Sequence, residues 1–100
     1  MAEIIWTAPA LSDLNDIAEY IALENMVAAK LLVKSVFDKV DRLEMFPESG
    51  RIPPELDYLN YREVVASPCR VFYKQGNDKV YILYVMREER DLRKFLLSKQ

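Results

Sequence analysis

Arg62, Arg70 and Arg87 stand at or near the ends of three strand-like runs, and Arg90 follows the last of them. Tyr73 and Lys74 close the middle run. A guanidinium is a planar fork that matches the oxygens of a phosphate or a carboxylate, and it stays charged at any ordinary pH. Such a set is equipped to bind an anion. It is poorly equipped to move protons, because the chain has no histidine, the commonest acid–base group near neutrality and the commonest metal ligand. One cysteine and no histidine leave zinc without a ligand set. Asp13, Asp16 and Glu19 recur at helical spacing and read as a solvated helix face rather than a carboxylate site for a divalent cation. No metal and no cofactor is expected.

Charge is unevenly spread. Residues 1–61 hold eleven Asp/Glu against five Lys/Arg, whereas residues 62–100 hold five against nine. A near-neutral total of −2 thus hides a basic C-terminal part, which again points to an anionic partner. The 100 residues, half of them apolar, suffice for one domain spanning 1–100 with one compact core. Cys69 lies in a strand-like run and reads as a small buried side chain. A single cysteine suits a reducing cytosol. No basic-then-apolar leader and no run of ~18 apolar residues is present, so a cytoplasmic life without a membrane is expected.

The elements that must position these residues follow from periodicity. Glu3–Thr7 reads as a short strand. Thr7 then caps a helix over about 8–23, with Pro9 in its first turn and Leu11, Leu14, Ile17, Ala18 and Ile21 on one side. Asn25 caps a second helix over about 27–45, striped by Ala29, Leu32, Val33, Val36, Val40 and Leu43 and stopped by Pro47 and Gly50. The short link between them predicts an antiparallel α-hairpin. Strands follow over about 61–67, 69–75 and 79–86, joined by Ser67-Pro68 and by Gly76-Asn77-Asp78. The last strand is apolar almost without alternation, as a central strand covered on both sides should be. A helix over about 89–98 ends the chain. The expected fold is α+β in the order β-α-α-β-β-β-α, an antiparallel sheet with the α-hairpin packed on one face. Alternation along the middle strand puts Arg70, Phe72 and Lys74 on one face, turned from the helices, and Cys69, Val71 and Tyr73 on the other.

In this order the chain resembles the RelE/ParE family of toxins from bacterial type II toxin–antitoxin pairs. The resemblance is carried by Trp6-Thr7-Ala8-Pro9-Ala10, Asp13-Leu14, Asp16 to Ile21, Phe46 to Arg51, Tyr61 to Val65, Cys69 to Tyr73, Val85-Met86-Arg87 and Arg90-Asp91. No piece is specific alone; the series in order and spacing is. The long α-hairpin and the Pro-Glu-Ser-Gly-Arg loop look most like the ParE branch. The resemblance implies one of two activities on one scaffold. ParE-like members poison DNA gyrase, and RelE-like members cut messenger RNA on the ribosome. Both are silenced by a cognate antitoxin, here one similar to ParD.

RNA cleavage requires a 2′-hydroxyl to be activated, a pentavalent phosphate to be stabilised and a leaving oxygen to be protonated. Arginines serve the second need. Many RNA-cutting relatives place a histidine where Arg87 falls, and a guanidinium is no base. As a nuclease the chain would work through Arg62, Arg70, Tyr73 and Arg87, since some RelE-type members use Tyr, Lys and Arg alone. As a ParE-like inhibitor it would meet its target through Arg62, Arg70, Tyr73, Arg87 and Arg90, joined by Arg93 and Lys94. A groove beside the hairpin, lined by Leu11, Leu14, Leu31 and Phe37, would take an amphipathic antitoxin helix. The same tyrosines and leucines also fit an ordinary core.

Overall fold

The computed structural model describes residues 1–99. Strand β1 (Glu3–Trp6) is followed by helices α1 (Ala8–Ala22) and α2 (Met26–Asp41). Two single 3-10 turns, Arg42–Glu44 and Pro54–Leu56, lie in the connection to strands β2 (Arg62–Ala66), β3 (Cys69–Gly76) and β4 (Lys79–Arg87). Helix α3 (Leu92–Leu97) is the last element among the described residues. The helix starts are those written into the sequence. Thr7 Oγ1 accepts from Ala10 N at 3.4 Å, and Asn25 Oδ1 accepts from Ala28 N at 3.0 Å. The last helix begins later than expected, because Asp91 is its cap and accepts from Lys94 N at 3.0 Å.

The sheet order is β1-β4-β3-β2. Strands β2, β3 and β4 form the expected antiparallel meander, and β4 is central. The sheet as a whole is mixed rather than antiparallel, since β1 runs parallel to β4 from Glu3↔Lys79 to Trp6↔Ile82. Tight turns dictate antiparallel neighbours, but β1 and β4 are separated by most of the chain, so no turn fixes their direction. A register shift opposite Phe72/Tyr73 makes Leu83 an extra residue on β4. This explains the poor alternation of that strand: Val80, Ile82 and Val85 all face the α-hairpin, on either side of the bulge.

Apolar clusters cover both faces. Ala10, Leu14, Leu32, Val36, Val40 and Leu43 pack on Val71, Tyr73, Val80, Ile82 and Val85. On the opposite face Leu56, Leu92 and Phe95 cover Phe72 and Met86. Each fully buried side chain of this size contributes about 1.5–3 kcal/mol. The alternation expected for β3 therefore holds, yet the Arg70/Phe72 face is roofed by α3 and the Pro54–Leu56 turn.

Asp13 departs from expectation. It is buried rather than on the solvated face, with its carboxylate accepting from Val85 N at 3.1 Å and paired to Lys99. The cause lies in the sheet. Strand β1 ends opposite Ile82, so the next stretch of β4 is paired with β3 on one side and has no strand on the other. Thr7 takes the Ile82 carbonyl, its Oγ1 donating at 2.6 Å, and Asp13 satisfies the Val85 N–H from helix α1. A buried N–H without an acceptor is costly. We expect Asp13→Ala to lower the unfolding free energy by about 2–4 kcal/mol in urea titrations. Lys99→Ala should cost less, because its amine is partly in water and Asp13 keeps its bond to the strand.

Candidate functional site

Arg62, at the start of β2, is paired with Tyr73 in the middle of β3. Tyr73 is fully buried. Its hydroxyl donates to Pro47 O at 2.8 Å and accepts from Gly50 N at 2.9 Å. A methyl group at Gly50 would collide with the Tyr73 ring and hydroxyl and lie 2.7 Å from Glu63 O, so only glycine fits this approach. Arg62 Nη1 donates to Gly50 O at 2.8 Å, and Arg51 and Glu63 exchange both backbone bonds, at 3.0 and 2.8 Å. The Pro47–Arg51 loop is thus fastened to the sheet. Burial pushes the Tyr73 phenol up from its ordinary pKa, and its hydroxyl is committed at both ends, so it is neither a base nor a surface contact.

Arg70 lies on the other face and is also buried. Its Nε and Nη2 donate to the buried Glu63 carboxylate at 2.6 and 3.1 Å. Its Nη1 and Nη2 also fork onto Glu55 at 2.8 and 3.0 Å. Arg51 reaches Glu63 from the solvent side, Nε to Oε2 at 2.8 Å. Positive and negative groups alternate along Arg51, Glu63, Arg70 and Glu55. The Arg70 hydrogen bonds hold the Glu55 carboxyl down at about 2, and the two carboxylates raise the Arg70 guanidinium further above its already high value.

Arg87 stands at the far end of the sheet, opposite Cys69. The four-residue step from Tyr73 to Cys69 along β3 is about 13 Å of strand. Arg87 packs on Tyr20, Cζ to ring centroid 5.5 Å, and its Nε lies 2.7 Å from Glu89 Oε1. That pair is close in distance but not aligned as a hydrogen bond, and the Nε proton has no acceptor among the described residues. Arg87 and Arg90 line a cleft of about 180 Å³ with Asp13, Asp16 and Lys99. Arg90, Arg93 and Lys94 are exposed beside it. Cys69, beneath this end, is buried, and burial pushes its thiol up to about 11, which leaves it inert. Among the described residues no group of three or more His, Cys, Asp or Glu is placed to hold a metal ion.

The residues singled out by sequence therefore do not converge. Arg62 with Tyr73 lies apart from Arg87 with Arg90, Arg70 on the opposite sheet face shares a cleft with Arg90 rather than with Arg62 or Tyr73, and both Arg70 and Tyr73 are buried with their polar groups paired inside the protein. Of the expected groove residues, Leu14 is buried in the core and Phe37 packs on Trp6 at 4.8 Å between centroids. Leu11 and Leu31 are exposed. The apolar groove of the hairpin lies elsewhere: a cleft of about 370 Å³ between α1 and α2, lined chiefly by Ala18, Ala22, Met26, Ala29 and Val33. Leu23, Val27 and Leu31 are exposed on the same hairpin. Alternation could have flagged Glu63 as the inward acid beside two arginines, but nothing local announces its partner Glu55, which sits in a loop.

The family profile described as ParE toxin of type II toxin-antitoxin system, parDE, matches residues 4–92. Toxin RelE2 of Caulobacter vibrioides is 31% identical over 91 residues, covering 90% of this chain and 99% of its own. A solved structure of the chromosomal ParDE TA system from P. aeruginosa superposes with a TM-score of 0.74 at 22% identity. That match covers 89% of this chain and 98% of the other and shows a shared fold.

Two measurements check this geometry. Tyr73→Phe removes both loop bonds and should cost about 1–3 kcal/mol in denaturant, with the secondary structure intact. The Glu55 carboxyl drops from 4.5 unfolded to about 2 folded, so its contribution is complete above 4.5 and lost as pH falls toward 2. A pH series of thermal unfolding should show that loss in the wild-type chain and a shallower one in Glu55→Gln.

Proposed function

The chain belongs to the ParE toxin family of type II toxin–antitoxin systems, and from that premise we propose that it arrests growth by binding DNA gyrase and holding its cleaved-DNA state, in the bacterial cytoplasm. In this reading it is an inhibitor and cuts no nucleic acid itself. The observation that carries the reading is the separation of the arginines. A messenger RNA endonuclease needs base, acid and phosphate clamp around one phosphorus. Here Tyr73 is committed to the loop, Arg70 is on the opposite face, and Arg62 and Arg87 are at opposite ends of the sheet. What is open to a partner is a cationic edge, Arg87, Arg90, Arg93 and Lys94, able to meet negative charge on DNA or on the target without doing chemistry.

A cognate antitoxin similar to ParD neutralises the toxin in this reading. The surface best suited to an amphipathic antitoxin segment is the α1/α2 groove with the exposed Leu23, Val27 and Leu31 beside it. Covering it would stabilise the toxin through mass action.

Inducing the chain alone in growing bacteria and pulse-labelling DNA and protein should show DNA synthesis falling first while translation continues. Early collapse of translation would instead favour the RelE-like action on ribosome and messenger RNA. Charge reversal at Arg87 or Arg90 should abolish arrest with circular dichroism unchanged; arrest that persists in both variants would remove this edge from the mechanism.

A further inference from the structure

Arg70 binds two carboxylates, and only one of them, Glu63, has a second arginine, Arg51. Glu63 is buried beside it and is indispensable, because an uncompensated charge there would be costly. Glu55 is different. Its side chain is about a third exposed, it sits on the single turn Pro54–Leu56 of a loop, and among the described residues its side chain is held by no other residue. It meets Arg70 as a parallel two-point fork, the geometry in which arginine also holds a phosphate diester. The fork opens on a cleft of about 340 Å³ that Arg90 and Arg93 also line. Neither of those arginines has an ion-pair partner among the described residues, while Glu88 is taken by Ser67 at 2.5 Å and Asp91 caps α3.

We propose that Glu55 stands in for a backbone phosphate, and that its displacement opens a nucleic-acid phosphate site formed by the Arg70 fork flanked by Arg90 and Arg93. Replacing Glu55 by a diester keeps the alternation of charge along Arg51, Glu63 and Arg70, so Glu63 stays compensated throughout. The Pro54–Leu56 turn is then a self-blocking contact, and the toxin meets DNA only where a phosphate outcompetes it. The inference rests on the reading of the basic edge as a surface that meets DNA, and it adds Arg70 as a ligand that the closed form hides.

The test is fluorescence anisotropy with a fluorescein-labelled DNA duplex, at several salt concentrations, on the full chain as wild type, E55Q and E24Q. Glu24 lies exposed at the hairpin turn, so E24Q makes the same change of net charge without touching the Arg70 fork. E55Q should bind the duplex several-fold more tightly than wild type, with a log–log salt slope steeper by about one. E24Q should fall well short of that gain, and adding R90A to E55Q should remove it. Equal affinity for E55Q and wild type, or an equal gain in E24Q, overturns the proposal. Stabilisation of E55Q by inorganic phosphate with no gain for the duplex assigns the fork to free anions and overturns it too. If E55Q loses its near-ultraviolet circular dichroism, Glu55→Asp, which draws the carboxylate back by one methylene, makes the same test. The duplex alone is the probe, so this result and the growth-arrest result can fail independently.

Discussion

Glu63 places a carboxylate where water does not reach, and much of the surrounding arrangement answers it. A buried anion of this kind must be met by cations with well-made hydrogen bonds. Arg70 meets it from the neighbouring strand and Arg51 from the loop. Arg51 brings the loop backbone against β2, the loop brings Gly50 over Tyr73, and Tyr73 and Arg62 fasten Gly50 from below. Two of the arginines that first suggest an anionic ligand, Arg62 and Arg70, are thereby bound within the protein. Arg87, Arg90 and Arg93, at the other end, have no such obligations of burial.

A second constraint comes from the central strand. The first strand is too short to accompany β4 along its length, so a helix must finish the pairing. Thr7 does so at the strand's carbonyl and Asp13 at its N–H. One side chain caps the helix and the strand together, and the other ties the helix, the sheet and Lys99 of the C-terminal segment into a single contact. The short α3 is thus held by more than the packing of Leu92 and Phe95, and its basic residues are presented on a fixed platform.

For a member of a toxin family this division has a consequence. The same small scaffold presents a cleft lined by Arg87 and Arg90 on one flank of α1 and an apolar groove between α1 and α2 on another. The two surfaces differ in chemistry, charge in the one and apolar area in the other.

The element order, the caps of α1 and α2, the hairpin, the centrality of β4 and the family were legible in the order of residues alone, because these depend on local periodicity, on cap and turn residues and on motifs in order. That order also foretold the two faces of β3, since alternation is a property of the strand alone. The partners of these residues were set by the packing of the chain. The parallel placement of β1, the burial of Asp13, the capture of Arg70 by Glu63 and Glu55, and the commitment of Tyr73 to Pro47 and Gly50 all join residues distant in sequence. Residue type announces that an arginine or a carboxylate will seek a partner. Only the packed chain determines whether that partner is another side chain or is left for a ligand, because the energy of a charge depends on what surrounds it in space.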